Sequence, residues 1–157
     1  MEENIPELYI ENQLCFPLYA ASRLTTKIYT PFLNQLDITY PQYLVLLALW
    51  QFGEQSVKTI GERLYLESNT LTPLLKRLEE KSLIKRTRSQ KDERTVIITL
   101  TSTGKKLKQK AKEIPRKIVK SFNDKTISEN EIIDFQRTLF KLLGILNKKT
   151  SSGNNFK

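Results

Sequence analysis

The sequence contains no histidine, and its 157 residues include one cysteine, Cys15. A lone cysteine closes no disulfide within its own chain, so the cysteine content does not set the redox compartment. Without histidine, no His-paired thiolate can form either. Any reactive role for Cys15 must therefore depend on groups other than an imidazole or a second thiol.

Long hydrophobic runs are also missing. The longest, Leu44–Trp50, is far too short to cross a bilayer, and the acidic N-terminus MEENIPELYI lacks the basic and apolar regions of a signal peptide. We therefore expect no membrane partner and a cytoplasmic location. Length and composition suit one domain over residues 1–149, and the composition of residues 150–157 predicts a disordered tail.

The charge is strongly positive and unevenly distributed. The formal net charge is +9, yet the first fourteen residues hold four Glu and no Lys or Arg. Residues 76–94 hold eight basic and four acidic residues, and residues 105–120 hold eight basic residues and one acidic residue. This asymmetry indicates a polyanionic partner such as nucleic acid, with a solvated helix surface as the alternative.

Apolar residues at helical spacing predict a long first helix from Glu11 to Leu33. Pro17 has two possible positions in that helix. It fits best in a first turn, which would place Cys15 at the N-terminal end of the helix, and otherwise it kinks a helix that begins earlier. The sequence leaves both open.

A second helix is predicted over Tyr40–Phe52, because Thr39 and Gln42 have the spacing of a capping box. Its apolar content indicates burial on most sides, and we expect Trp50 and Phe52 in the core.

Two shorter helices follow, over residues 56–66 and 68–81, joined by a short turn. Leucines at i, i+3, i+4 and i+7 from Leu71 turn one face of the second helix into the core. The start of that helix and its opposite face carry small polar and cationic side chains, as base edges and phosphates in a major groove require; an ordinary exposed helix is the alternative. These candidates for DNA binding are Ser68, Asn69, Thr70, Thr72, Lys76 and Arg77.

Segments 83–88 and 95–100 have β-branched content and enclose the polar stretch SQKDER, which predicts a two-stranded hairpin. A basic ribbon directly after a helix-turn-helix is a wing, and an Arg at its tip can enter the minor groove. The wing candidates for DNA binding are Arg86, Arg88, Asp92 and Arg94. The predicted fold is mainly α with a small β-wing, and its winged helix-turn-helix spans about residues 39–100.

The C-terminal part also reads as helical. A helix after the wing is interrupted near Pro115, and a capping box of Ser128 and Glu131 opens a last helix to about Lys148. That helix is apolar around much of its circumference, so we expect a dimer interface built from residues 8–35 and 105–148. Burial within its own subunit is the alternative.

These features resemble the MarR family of bacterial winged-helix repressors over nearly the whole chain. The stretches ENQLCFPLYAASR, LDITYPQYLVLLALW and LTPLLKRLEEK look like the one-cysteine, organic-hydroperoxide-sensing repressors called OhrR. The resemblance implies a homodimer that binds a palindromic operator. The reduced protein binds the operator and represses transcription, and the oxidised protein releases it. It also implies that Cys15 is the reactive thiol, that Tyr29 and Tyr40 hydrogen-bond it from the other subunit, and that Asp92 braces Arg94.

Helix geometry supports this arrangement of the thiol site. Tyr19 is an i+4 neighbour of Cys15, whereas Tyr29 lies about 21 Å further along the axis at 1.5 Å per residue. A contact between Tyr29 and Cys15 must therefore come from a second copy of the helix, and Tyr40 would be delivered in the same way. Tyrosine hydroxyls that donate to sulfur favour the reactive thiolate.

The oxidised thiol has three possible fates: sulfenic acid, an irreversible acid, or a mixed disulfide with an outside small thiol. The apolar neighbours of Cys15 suit an organic hydroperoxide better than hydrogen peroxide. We expect no metal and no cofactor.

Four other interpretations stay open from the sequence. Cys15 could be a small buried hydrophobe. The protein could be a MarR-type repressor controlled by a small aromatic ligand, or a basic protein that coats DNA without sequence preference. The protein could also be a thiol peroxidase. However, the sequence has no resolving cysteine and no arginine near Cys15, so we do not expect an enzyme.

Overall fold

The computed structural model describes residues 5–122 and 126–151. The chain divides into two compact units, the first ending at Ile118 and the second beginning at Val119, where the sequence predicts one domain over residues 1–149. The first unit and the helix that crosses the boundary contain the following elements: α1 (Cys15–Asn34), α2 (Tyr40–Phe52), β1 (Gln55–Ser56), α3 (Val57–Leu64), α4 (Ser68–Glu80), β2 (Ile84–Arg88), β3 (Val96–Leu100), α5 (Ser102–Ala111) and α6 (Ile114–Ser121).

The first helix begins four residues later than predicted, at Cys15 rather than Glu11. Residues Pro6–Leu8 and Ile10–Asn12 form two 3-10 turns instead. Pro17 is the third helical residue, where its missing N–H has no partner to lose within the helix. Pro17 therefore lies in the first turn, and Cys15 is the first residue of α1.

Helix α2 has the predicted bounds and the predicted capping box. The Thr39 backbone N–H donates to Gln42 Oε1 at 2.9 Å, and the Thr39 side chain accepts from the backbone of Gln42. Six of the thirteen residues of α2 are buried. Phe52 is 47% exposed and lies under the guanidinium of Arg63, 3.7 Å from its ring centre. Phe52 is the last residue of α2, so the prediction that it belongs to the core is wrong.

The helix-turn-helix consists of α3 and α4. Ser56 Oγ accepts from the Thr59 N–H at 3.0 Å and caps the start of α3. The helix ends at Leu64, and the next residue, Tyr65, has the left-handed conformation. Three of the four leucines predicted to face the core, Leu71, Leu75 and Leu78, are buried, and the fourth, Leu74, is half-buried. One face of α4 is thus fixed against the core, so its opposite face is presented to solvent.

The wing is part of a three-stranded antiparallel sheet with strand order β1-β3-β2, not a two-stranded ribbon. Strands β2 and β3 pair with Arg86 opposite Ile98, as the hairpin prediction requires. The additional strand, Gln55–Ser56, pairs with Ile98 and Ile97. A strand of two residues is too short to leave an alternation that sequence reasoning could detect.

Helices α2 and α5 are joined through Trp50 and Gly104. The Trp50 indole N–H donates to the Gly104 carbonyl at 3.0 Å, and the Thr101 side chain caps α5 by accepting from the Gly104 N–H. The predicted interruption near Pro115 is present, since α5 ends at Ala111 and α6 begins at Ile114. Pro115 lies in the first turn of α6, which a proline tolerates.

The second unit contains α7 (Glu129–Ser151), opened by the predicted capping box. Ser128 donates through its backbone N–H and hydroxyl to Glu131 Oε2, at 2.8 and 2.7 Å. The helix continues through residues 150 and 151, so the predicted disordered tail is wrong there, and the rest of that prediction lies outside the described residues. Its exposed apolar side chains include Ile133, Phe135, Phe140 and Ile145.

Within residues 5–122 and 126–151, no helix has the length and apolar content that a bilayer crossing needs.

Candidate DNA interface and thiol site

A solvent-open groove lies between the start of the helix-turn-helix helices and the wing. Its volume is about 440 Å³. Both helices and both wing strands contribute to its walls, which include Ser56, Lys58, Ser68, Thr72, Arg86 and Arg94. Three cationic and four hydroxyl side chains, the fourth from Thr95, surround one groove and can contact a sugar-phosphate backbone.

The predicted DNA-binding residues of α4 are all exposed: Ser68, Asn69, Thr70, Thr72, Lys76 and Arg77. Thr72 Oγ1 donates to the Ser68 carbonyl at 2.7 Å, so its hydroxyl oxygen remains available as an acceptor. Thr70 Oγ1 donates to Asn69 Oδ1 at 3.2 Å. The structure thus brings these side chains together on the helix surface opposite the buried leucines.

The loop of the wing is organised by Asp92. Asp92 Oδ1 accepts from the Arg94 backbone N–H at 3.0 Å, and Oδ2 accepts from Thr95 Oγ1 at 2.8 Å. These bonds, first that from the Thr95 side chain, lower the pKa of the Asp92 carboxyl below its usual value. Asp92 therefore holds the Arg94 backbone at the groove that Arg94 helps to line.

Arg86 differs from the other wing arginines because it forms an ion pair within the subunit. Its Nε donates to Glu79 Oε2 at 2.7 Å, and its backbone N–H donates to Glu79 Oε1 at 3.0 Å. The hydrogen bond from the Arg86 side chain is the main cause that lowers the pKa of Glu79. Arg86 thus fastens β2 to α4, whereas Arg88 and Arg94 are exposed on the wing.

The polar groove residues that the sequence prediction missed are Ser56, Lys58 and Thr95. Ser56 and Lys58 reach the groove from the start of α3. The sequence signal that could have found them is the Ser-x-x-Thr spacing of residues 56–59, which marks the start of a helix. An exposed cation in that first turn, Lys58, then lies at the same end of the helix-turn-helix as the start of α4.

The thiol of Cys15 is exposed at the first residue of α1. Helix N-termini carry unpaired N–H groups and a positive dipole end, which favour an anion such as a thiolate. The side chain is not sealed in aliphatic packing in the subunit, so the interpretation of Cys15 as a buried hydrophobe is wrong for the single chain.

Tyr29 and Tyr40 lie together in the subunit, with ring centroids 4.8 Å apart. Tyr43 extends the pair, 6.0 Å from Tyr29, and sequence reasoning missed it although it lies one turn beyond Tyr40. Burial, followed by the neighbouring Tyr40 and Tyr43, raises the pKa of Tyr29 to about 12. Burial also raises the pKa values of Tyr40 and Tyr43. All three phenols thus stay protonated near neutral pH and can act as donors.

Within one subunit, Cys15 and Tyr29 are far apart. Helix α1 is continuous from Cys15 to Asn34, so the fourteen-residue separation corresponds to about 21 Å along its axis. Tyr19 lies nearer, one turn from Cys15, and its hydroxyl accepts from Arg23 Nη1 at 2.8 Å. That bond occupies an acceptor position of Tyr19 and leaves its proton available to donate.

In the part of the chain that the structure describes, no group of three or more carboxylate, thiol or imidazole side chains lies close enough to hold a metal ion.

A family model described as transcriptional regulator SarA/Rot matches residues 27–111. The organic hydroperoxide resistance transcriptional regulator of Bacillus subtilis is 48% identical over 149 residues, which cover 95% of this chain and 99% of that protein. This match includes the helix-turn-helix and the wing.

The fold resembles solved structures of AbfR of Staphylococcus epidermidis. Reduced AbfR bound to DNA has a TM-score of 0.71 and 40% sequence identity, covering 87% of this chain and 94% of that one. Overoxidised AbfR bound to DNA has a TM-score of 0.70 and 39% identity over the same shares. Both the fold and the relatives are those of transcriptional regulators.

Proposed function

The chain belongs to the MarR family of winged-helix transcriptional regulators, and we propose that it is a homodimeric, cytoplasmic repressor that releases its operator when organic hydroperoxides oxidise Cys15. The observation that carries this proposal is the exposed thiol at the start of α1 together with the half-buried tyrosine pair of Tyr29 and Tyr40. The hydroperoxide-resistance regulator that matches 95% of the chain supports it.

For DNA binding, we propose that α4 enters the major groove and that the wing reaches the adjacent minor groove. The exposed polar face of α4 supplies the base contacts, and Arg94 at the wing supplies the minor-groove contact. Two such units in a dimer read the half-sites of a palindrome about 34 Å apart, so their relative position sets affinity.

For sensing, the tyrosines of one subunit donate hydrogen bonds to the Cys15 sulfur of its partner. The thiolate attacks the O–O bond of a hydroperoxide, the sulfur is oxidised to sulfenate, and the peroxide is reduced to the corresponding alcohol. A small outside thiol then condenses with the sulfenic acid, forming a mixed disulfide and water. The apolar side chains of Leu14 and Phe16, both exposed beside the thiol, favour an organic peroxide.

Release is assigned to the mixed disulfide rather than to added oxygen atoms alone. Overoxidised AbfR has been crystallised bound to DNA, so in that relative overoxidation is compatible with DNA binding. A thiol cap is several atoms larger, and it displaces the partner's tyrosines and changes the spacing of the two α4 helices. Each Cys15 thiol reacts with one peroxide molecule and does not turn over, so the protein acts as a switch and not as a peroxidase.

A mobility-shift titration with operator DNA tests this function. Cumene hydroperoxide is added to wild-type protein and to Cys15→Ser, each with and without free cysteine, and the intact mass is measured in parallel. We expect wild-type protein to release DNA fully with peroxide plus cysteine, with a mass gain of one cysteine. Cys15→Ser should bind DNA normally and ignore peroxide. Equal release of DNA by Cys15→Ser would overturn the proposal.

A further inference from the structure

A second groove lies between α2 and the α5–α6 corner, and we name it the α2–α5 groove. Its volume is about 440 Å³, and its lining includes Tyr43, Leu47, Trp50, Lys108, Ala111 and Lys112. Leu47 is 38% exposed although its neighbours on both sides along the chain, Leu46 and Ala48, are buried. The groove thus combines an apolar floor with two cationic side chains at its edge.

The groove is continuous with the tyrosines of the thiol site. The Tyr43 ring lies 6.0 Å from Tyr29 and 6.2 Å from Trp50, centroid to centroid. An aromatic row therefore leads from Tyr29 and Tyr40 into the groove. Along α2, the distance from Tyr40 to Trp50 corresponds to about 15 Å.

The N-terminal segment, residues 5–14, has the opposite character. Its two 3-10 turns are held by its own side chains, with Asn12 Nδ2 donating to the Pro6 carbonyl at 2.8 Å and Gln13 Nε2 donating to the Glu7 carbonyl at 2.7 Å. The segment is therefore shaped before it meets any partner. Yet its apolar side chains are left in solvent, with Leu8 75% and Leu14 78% exposed.

We propose that the N-terminal segment of one subunit docks in the α2–α5 groove of its partner. This inference rests on the proposed dimer, in which Cys15 meets the partner's Tyr29 and Tyr40; the segment ends one residue before Cys15, so it must leave from that point.

Opposite charges on the N-terminal segment and the α2–α5 groove favour this groove as the docking site. Glu7 and Glu11 are the charged residues of the segment, and Lys108 and Lys112 line the groove. Lys108 Nζ also donates to the Trp50 carbonyl at 3.1 Å, which holds its charge beside the groove. Opposite charges across an interface fix its register and orientation. The exposed leucines of the segment then cover Leu47 and the groove floor, and this burial stabilises the contact. Docking thereby anchors the helix end that carries Cys15, which makes residues 5–14 part of the sensor.

Zero-length carbodiimide cross-linking of mixed-isotope dimers tests the docking. Reduced, full-length protein is prepared in 14N and 15N forms, exchanged into mixed dimers, cross-linked and digested. We expect cross-links from Glu7 or Glu11 to Lys108 or Lys112 that join light to heavy peptides. Such cross-links found only within one isotope would place the segment on its own subunit and overturn the proposal, as would their absence while other inter-subunit cross-links form.

A pair of charge reversals gives an independent readout. Lys112→Glu should remove the cross-links to residue 112 and slow the oxidation of Cys15 several-fold, whereas Lys105→Glu, the same change outside the groove lining, should alter neither. Restoration of the oxidation rate in Lys112→Glu by Glu7→Lys or Glu11→Lys would support direct pairing, and no restoration by either would count against it.

The same preparations separate this inference from the proposed function. A normal peroxide response of operator binding without the segment-to-groove cross-links overturns the docking and leaves the redox switch standing. Segment-to-groove cross-links in a protein whose operator binding does not respond to peroxide overturn the redox switch and leave the docking standing. If the cross-links are absent and decanoate, used as an amphipathic carboxylate probe, binds saturably to wild-type protein but not to Lys112→Glu, the groove is a ligand site and the docking is wrong.

Discussion

The Tyr29 ring on α1 lies 4.8 Å from the ring of Tyr40, the first residue of α2. The two residues are joined by the turn between the helices and share one half-buried surface. Cys15 of the same subunit is about 21 Å from Tyr29 along the continuous α1, so the subunit presents a phenol pair at one place and a thiol at another. The functional proposals concern how a second subunit joins the two.

The tyrosine cluster predicts an unusual titration at high pH. Burial raises the pKa of Tyr29 to about 12, so its hydroxyl stays protonated in the folded state where an unfolded tyrosine near 10 has lost its proton. The folded state then holds more protons than the unfolded state between these values, and stability falls as pH rises from about 10 toward 12. Absorbance at 295 nm, followed as the pH rises, should show that some of the six tyrosines lose their proton only well above pH 10. Fewer tyrosines should do so in Tyr29→Phe. Titration of all six near 10 in folded protein would contradict this.

Gly104 is predicted to be essential for stability. A Cβ at this position would lie 2.0 Å from the Leu83 carbonyl oxygen and 3.1 Å from Leu100 Cδ2. Gly104→Ala should therefore lower the free energy of unfolding by about 3 kcal/mol or more, which thermal unfolding would report as a Tm lower by roughly 10 °C. Gly144→Ala is the matched control, since nothing in the subunit lies within 4 Å of its added Cβ. Equal Tm values for the two variants would refute the close approach at Gly104.

The arrangement of the wing predicts an energetic coupling between Asp92 and Arg94. Asp92→Ala removes two hydrogen bonds in the loop that presents Arg94, so operator affinity should fall. In an Arg94→Ala background the same change should cost nothing further, because the group it positions is gone. The adjacent Glu93→Ala serves as the control for lost negative charge. Additive losses in a double-mutant cycle by fluorescence anisotropy would show that Asp92 acts independently of Arg94.

Arg77 is the predicted base-reading cation of α4. Arg77→Ala should weaken operator binding and relax discrimination at one base-pair position by about 1 to 3 kcal/mol. Arg116→Ala removes the same charge from α6, away from the α4 face, and should leave the sequence preference intact. Binding to a panel of operators with single base-pair changes measures both effects. A uniform loss across the panel would assign Arg77 to phosphate contact instead.

Much of the fold was predictable because its signals are local. The capping boxes at Thr39 and Ser128 depend on residues three apart, and they give the starts of α2 and α7 correctly. The leucines of α4 likewise reveal its buried face through their spacing alone. The predicted start of α1 lies four residues before the observed one, because Ile10–Asn12 form a separate 3-10 turn and the extended Gln13 separates that turn from the helix.

The errors and omissions share a physical cause, which is contact between residues distant in sequence. Strand β1 exists because it pairs with β3, over forty residues away. Glu79 takes its role from Arg86 on the next strand, and Phe52, outside the core, packs its ring against the guanidinium of Arg63. For the thiol site, the sequence supplies the tyrosines and the cysteine, and helix geometry supplies their separation. Whether they meet in the dimer stays a prediction.

The most direct test measures the oxidation of one thiol in a designed heterodimer. One subunit carries Cys15→Ser, and the other keeps Cys15 but carries Tyr29→Phe and Tyr40→Phe. If the phenols come from the partner, the remaining thiol receives both native tyrosines, and cumene hydroperoxide should oxidise it at the wild-type rate. If they act within their own subunit, the thiol should react as slowly as in the Tyr29→Phe, Tyr40→Phe homodimer, and that result would contradict sensing across the dimer.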